Sequence, residues 1–277
     1  MTSAKTVFIT GCSSGIGYTT AVELKKRGYR TVCSARKADD VERLREEGFE
    51  CLQLDLADSA SIQQAVQELI ALTGGRVYAL FNNGAFGQPG AVEDLSREAL
   101  RNQFETNFFG THELTTLLIP LMRQQGHGRI IYNSSVLGFV AMKFRGAYNA
   151  SKFALEGLAD TLRLELRGSG IHIVLIEPGP IESRFRQNAY AMYRKNINPE
   201  HSFHRDTYRA METRLQKPGP AAPFTLPATA VAEKLIHALE SNKPKSRYAV
   251  TVPTYLFAVL KRLLPTVWLD KILVSVE

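Results

Sequence analysis

Tyr148 and Lys152 stand four residues apart in the run Tyr-Asn-Ala-Ser-Lys, which on a helix puts a phenol and an ammonium on one face. A free tyrosine titrates near pH ~10, too high for efficient proton exchange at neutral pH. A cation beside it favours the phenolate and lowers that value. Interconverting an alcohol and a carbonyl moves one proton with each hydride, so a phenol in this setting suits general acid–base work. The pair alone is weak, because Tyr and Lys share this spacing on many exposed helices. Its weight comes from its neighbours. Asn133-Ser134-Ser135 lies upstream at the expected end of a strand, where Ser135 can hydrogen-bond a carbonyl and orient it. Asn107 is a polar residue in a stretch of helix that is otherwise apolar. It either holds a relay water near Lys152 or is a satisfied buried amide.

A second group of residues could hold a dinucleotide. The first apolar run leads directly into Thr10-Gly11-Cys12-Ser13-Ser14-Gly15-Ile16-Gly17 and then into a helical pattern. The glycines allow a tight turn and close approach of backbone to ligand, and the amides at the start of a helix suit a pyrophosphate. Ser13 and Ser14 add hydroxyl donors. Specificity should be set at the end of the second strand, where an acid would hold a ribose 2′-hydroxyl and an arginine a 2′-phosphate. The chain has Ser34-Ala35-Arg36-Lys37 there, with no acid before Asp39. A guanidinium that can fork onto phosphate predicts NADP(H) in preference to NAD(H).

These residues need a scaffold that brings distant loops to one edge. Strand-like runs are expected at Thr6–Thr10, Arg30–Ala35, Cys51–Leu54, Val77–Asn82, Arg129–Asn133 and His172–Glu177. Helical patterns lie between them near Ile16–Arg27, Ala38–Glu47, Ser59–Leu72, Arg97–Arg123 and Asn149–Arg167. Continuous apolar strands such as Val-Phe-Ile-Thr read as buried on both faces. The alternation predicts a single-domain α/β fold, a doubly wound parallel sheet of about seven strands with helices on both faces. Residues 182–224 lack clear periodicity and read as a weakly structured lid. Beyond them come a helix at Ala228–Glu240, an edge strand at Arg247–Thr251 and an apolar tail over 253–277, divided by Pro265 into two short helices.

Composition narrows the class. The net charge is +7, but the 34 Lys and Arg are interspersed with 27 acids and form no basic block, so no nucleic-acid partner is expected. Cys12, Cys33 and Cys51 form no CxxC pair, which predicts buried reduced thiols and no metal site. Met1 to Lys5 is too short and polar for a signal peptide, and no apolar run reaches membrane-spanning length. A cytoplasmic protein is expected.

The motifs TGCSSGIG (10–17), Asp55-Leu56, NNGA (82–85), Asn107, Ser135, YNASK (148–152) and PGPI (178–181) occur in that order, and on them the chain resembles the short-chain dehydrogenase/reductase superfamily over residues 5–185. It is most similar to bacterial members that reduce aldehydes or ketones with NADPH, and more loosely to hydroxysteroid and retinol dehydrogenases. The resemblance implies a catalytic tetrad of Asn107, Ser135, Tyr148 and Lys152. It implies cofactor contacts at Gly11, Ser13, Ser14, Gly15, Ile16, Gly17, Arg36, Asp55, Leu56, Asn83 and Ile181, as well as at Tyr148 and Lys152. The family usually has Asn-Asn-Ala-Gly where this chain has Asn82-Asn83-Gly84-Ala85. If that last position needs positive φ, Ala85 is strained and the place of Asn83 changes.

Phe139, Met142, Phe144, Phe185, Tyr190, Met192, Tyr193 and Phe203 flank the expected substrate site. They predict an apolar carbonyl or alcohol as the small-molecule substrate, such as a long-chain aldehyde, retinoid or steroid-like ketone. The tail has three competing fates: a cover over the pocket, a subunit contact, or a peripheral membrane contact. The resemblance implies a homodimer or homotetramer. Two other functions compete, a catalytically silent NADP(H)-binding scaffold that senses redox state and an epimerase or dehydratase on the same fold. The intact Ser135, Tyr148 and Lys152 count against the first, and the chain length against the second.

Overall fold

The computed structural model describes residues 4–220 and 222–276. Seven strands pair in parallel in the order β3-β2-β1-β4-β5-β6-β7. They are β1 (Thr6–Ile9), β2 (Arg30–Ala35), β3 (Glu50–Gln53), β4 (Ala79–Asn82), β5 (Gly128–Asn133), β6 (Ile171–Glu177) and β7 (Arg247–Ala249). The strand order reverses between β1 and β4, so loops diverge there and leave a crevice at the carboxyl edge of the sheet. The strands begin and end within a residue or two of the sequence expectation, because each is an apolar run bounded by polar or Gly-containing turns.

Helices cover both faces, as doubly buried strands require. On one side α1 (Gly15–Lys26), α2 (Ala38–Glu46) and α9 (Thr229–Glu240) bring Leu24, Leu44, Val231 and Leu235 onto Ile9, Phe81 and Val174. The three buried thiols lie in the same layer. On the other side α3 (Ser59–Thr73), α5 (Gly110–Gln125) and α6 (Gly146–Glu165) set Leu69, Leu114, Leu118 and Leu155 against Phe8, Leu80, Ile130 and Tyr132.

The helix expected over Arg97–Arg123 is not uniform. It begins as α4 (Arg97–Phe104), widens into a π turn at Glu105–Phe109 and resumes as α5. Such bulges rotate the following residues relative to a regular helix, and this one carries Asn107.

The segment expected to be weakly structured is instead helical: α7 (Phe185–Asn196) and α8 (Arg205–Gln216) form a hairpin with its own apolar cluster of Ala189, Tyr193, Ile197, Tyr208 and Leu215. Its polar periodicity hid it, since only a few positions on each helix turn inward. Tyr208 anchors the hairpin by donating to Asp94 at 2.5 Å and accepting from the Ala91 amide at 2.8 Å. The tail forms α10 (Val252–Leu263) and α11 (Thr266–Ser275), divided at Pro265.

Candidate active site

The loops at the crevice are tied to one another before any ligand is considered. Gly11 and Gly15 take φ of +71° and +58°, which side chains resist. A Cβ on Gly17 would fall 2.3 Å from the Gly11 carbonyl oxygen, so the helix closes on the turn only because that position is bare. Asn83 braces the turn from β4. Its Nδ2 donates to the carbonyls of Thr10 (2.9 Å) and Gly11 (3.2 Å), and its Oδ1 accepts from Asn133 Nδ2 at 3.0 Å. Thr10 Oγ1 in turn accepts from the amides of Asn83 and Gly84 at 2.9 and 2.8 Å.

The Gly84–Ala85 exchange is accommodated without the expected strain. Among the described residues only Phe144 and Phe224 are non-glycines with positive φ, so Ala85 is not left-handed. Gly84 is the constrained member of the pair: a Cβ there would meet Leu56 Cδ1 at 2.9 Å and Thr10 Oγ1 at 3.2 Å.

The residues present fit a nicotinamide dinucleotide. Ser14 begins α1 in extended conformation and makes no side-chain capping bond, which leaves the amides of the first turn to an anion. Arg36 and Lys37 are exposed at the end of β2. Arg43, which the sequence reading did not single out, extends from α2 to the Ser13 carbonyl, donating at 2.8 Å. Arg36 precedes α2, so no helical spacing linked the two arginines in the sequence. Asp55 accepts from the Ala57 amide at 2.9 Å, and Leu56 is buried beside Gly84.

The proposed catalytic side chains converge on the same edge. Tyr148 and Lys152 lie one turn apart on α6, and the Lys152 Nζ is 5.7 Å from the centre of the Tyr148 ring. Ser135 follows β5 in extended conformation, accepts from the Leu137 amide at 3.1 Å and hydrogen-bonds the Tyr148 hydroxyl. Lys152 is buried and donates to the Asn133 carbonyl at 2.7 Å. Asn107 is buried with its amide engaged: Nδ2 donates to the Phe86 carbonyl (3.0 Å) and Ser151 Oγ (3.2 Å), while Oδ1 accepts from the Phe86 amide at 3.1 Å. Its side-chain amide holds the loop after β4 against α6.

The electrostatics differ from the expectation for a lysine-activated phenol. Enclosure of its hydroxyl pushes Tyr148 up to about 12, opposed by the Ser135 hydrogen bond, even though the ring keeps some surface open. Burial pulls Lys152 down to about 8, opposed by the carboxylate of Glu156 one turn further along α6. Lys152 Nζ donates to the Asn133 carbonyl, and burial is the largest influence on the phenol.

Behind Lys152 lies a cluster the sequence reading missed. Arg247 on β7 meets Glu156 at 3.0 Å, Asp160 at 2.7 Å and Glu177 at 3.1 Å. Its members come from α6, β6 and β7, and only the Glu156–Asp160 spacing was visible in the chain.

Residues 181–185 lie against this edge. Ile181 pairs with Leu226, Ser183 lies against Gly15, and the Phe185 ring meets Tyr148 edge-on at 5.3 Å. Phe139 and Met142 pack beside Tyr148 as well. The other aromatic residues expected to line the pocket do not gather there. Phe144 and Tyr193 belong to the α7–α8 cluster, Tyr190 stacks on Tyr193 and binds Glu212, and Phe203 is almost fully exposed.

A family model described as short chain dehydrogenase matches residues 5–194. The oxidoreductase YbbO of Escherichia coli is 47% identical over 269 residues, which span 97% of this chain and 94% of that protein. The NADPH-dependent 3-dehydrocapnine reductase of Ornithobacterium rhinotracheale is 32% identical over 274 residues, covering 95% of this chain and 94% of the relative. The crystal structure of a short-chain dehydrogenase from Streptomyces avermitilis superposes with a TM-score of 0.77 at 27% identity, over 98% of this chain and 94% of that one.

Proposed function

This chain belongs to the short-chain dehydrogenase/reductase family, and from that premise we propose that it reduces an apolar aldehyde or ketone with NADPH, with Tyr148 as the proton donor. As a member it is an oxidoreductase of CH–OH groups that binds a nicotinamide cofactor. The observation that carries the finer reading is the Ser135–Tyr148 hydrogen bond at the carboxyl edge, roofed by Phe185 and walled by Phe139 and Met142.

The cofactor supplies the hydride when bound. The first-turn amides of α1, with Ser13 and Ser14, would hold its pyrophosphate. Arg36 and Lys37 would hold the 2′-phosphate that distinguishes NADPH. Tyr148, protonated at neutral pH and with its pKa drawn down by Ser135 against the effect of burial, gives its proton to the carbonyl oxygen while Ser135 orients that oxygen. Lys152 and the Asn133 carbonyl fix the floor of the site. Phe185 excludes water from the phenol and offers an apolar surface to the substrate. A silent scaffold has no use for this arrangement.

The test is the rate of NADPH consumption with straight-chain aldehydes of increasing length beside small polar ketones. Each buried methylene should raise kcat/KM by about three- to fourfold until the pocket is filled. Faster turnover of the small polar ketones would overturn the apolar assignment.

A further inference from the structure

The C-terminal hairpin has two apolar faces where a surface helix ordinarily has one. The inner face is accounted for: Phe257, Leu260, Leu269 and Leu273 pack onto the loop after Ser135, in one cluster with Tyr148. The outer face has no cover. Tyr255, Leu256, Val259 and Leu263 on α10, with Val267 and Trp268 on α11, are each more than half exposed. Among the described residues, nine of the twenty exposed large hydrophobics fall within 252–276, so this surface is a patch and not scatter.

Charge identifies the occupant. Arg262 and Lys271 are exposed on the hairpin against a single acid, Asp270, while Lys261, also exposed, turns its amine to the Phe139 carbonyl. A second copy seated on this face would meet the same excess of cations over acids, whereas anionic headgroups would neutralise it. A tyrosine and a tryptophan with a polar tip and an apolar body suit the boundary between headgroups and acyl chains. No helix among the described residues is long and apolar enough to cross a membrane, so the hairpin would lie in the interface.

We infer that the outer face of α10–α11 docks on an anionic lipid surface, which sets the Ser135 loop one helix layer, about 10 Å, from the lipid. Docking is independent of the catalytic reading. Delivery of an apolar substrate from the lipid rests on it.

The full-length protein is floated on a density gradient with vesicles of phosphatidylcholine, with or without phosphatidylglycerol. The wild type should rise with the anionic vesicles and be released by salt. The variant L256E/V259E/W268E should bind about tenfold less or weaker still. A second variant, R262E/K271E, leaves the apolar face intact and should lose the preference for anionic vesicles, which keeps the test decisive if the first variant melts early. Wild type that stays at the bottom overturns the inference, as does a well-folded triple variant that floats normally. A wild-type oligomer that does not float and falls apart in the triple variant also overturns it, by making the face a subunit contact. Flotation without NADPH consumption would contradict the catalytic reading alone.

Discussion

Lys152 carries the largest electrostatic burden of the proposed catalytic residues. Its amine is buried and pulled down to about 8, so between that value and the ordinary lysine value of 10.5 the unfolded chain holds a proton that the folded chain has released. Stability contributed by this site therefore rises as pH increases through that window, and the cost of burying the charge is fully present below it. Thiols and tyrosines raised by burial act in the opposite direction at high pH, so the informative quantity is a difference between two proteins. The melting temperature of wild type minus that of Lys152→Met should increase from pH 8 upward. A flat difference would show that the amine titrates normally. Arg36 supports a separate expectation. One charge-assisted guanidinium–phosphate contact contributes about 1.5–3 kcal/mol, or roughly ten- to a hundredfold in affinity. Wild type should therefore prefer NADPH to NADH by about that ratio. Arg36→Ala should lose most of the preference with little change in affinity for NADH, and equal affinities in the wild type would refute the assignment.

The elements that place these residues were unequally legible. The glycine-rich turn, the helix bearing Tyr148 and Lys152 and the strand ending at Asn133 each announce themselves through local pattern: a run of glycines, a four-residue spacing, an apolar stretch with a polar terminus. What the pattern could not give is anything assembled across the sheet. The π turn arises where α4 and the turn itself pack on α6 while α5 packs on α3, and nothing in Glu105–Phe109 read alone marks it. The α7–α8 hairpin buries few residues per turn, so its composition resembles a loop. The Arg247 cluster joins three elements and is invisible in any one of them. That cluster makes its own prediction. Glu156 and Glu177 are buried, and burial pushes Glu177 up to about 7 even beside the guanidinium. Arg247→Met would strand both acids and should cost about 3 kcal/mol at neutral pH, the lower end for a broken buried pair because Arg247 is partly exposed. Loss of the guanidinium raises the folded-state carboxyl pKa further above 7, so the deficit should grow as pH rises above about 7 and shrink as pH falls toward it. A deficit independent of pH in denaturant melts would argue that Arg247 acts through packing alone.

At the scale of the whole molecule, one sheet edge gathers a glycine-rich turn, a phenol–serine pair and an apolar aromatic ring from segments more than a hundred residues apart. The parallel order of the strands explains why: every strand points its carboxyl end to that edge, and the reversal between β1 and β4 opens the crevice there. The C-terminal helices then close the side nearest Tyr148. The most direct measurement is turnover by Tyr148→Phe, which keeps the ring packed against Phe185 and removes only the hydroxyl, paired with a fluorescence titration of NADPH. The kcat for a long-chain aldehyde should fall by about 10²–10⁴ while NADPH affinity stays within about threefold. Turnover close to wild type with the phenylalanine in place would contradict a proton donated from residue 148.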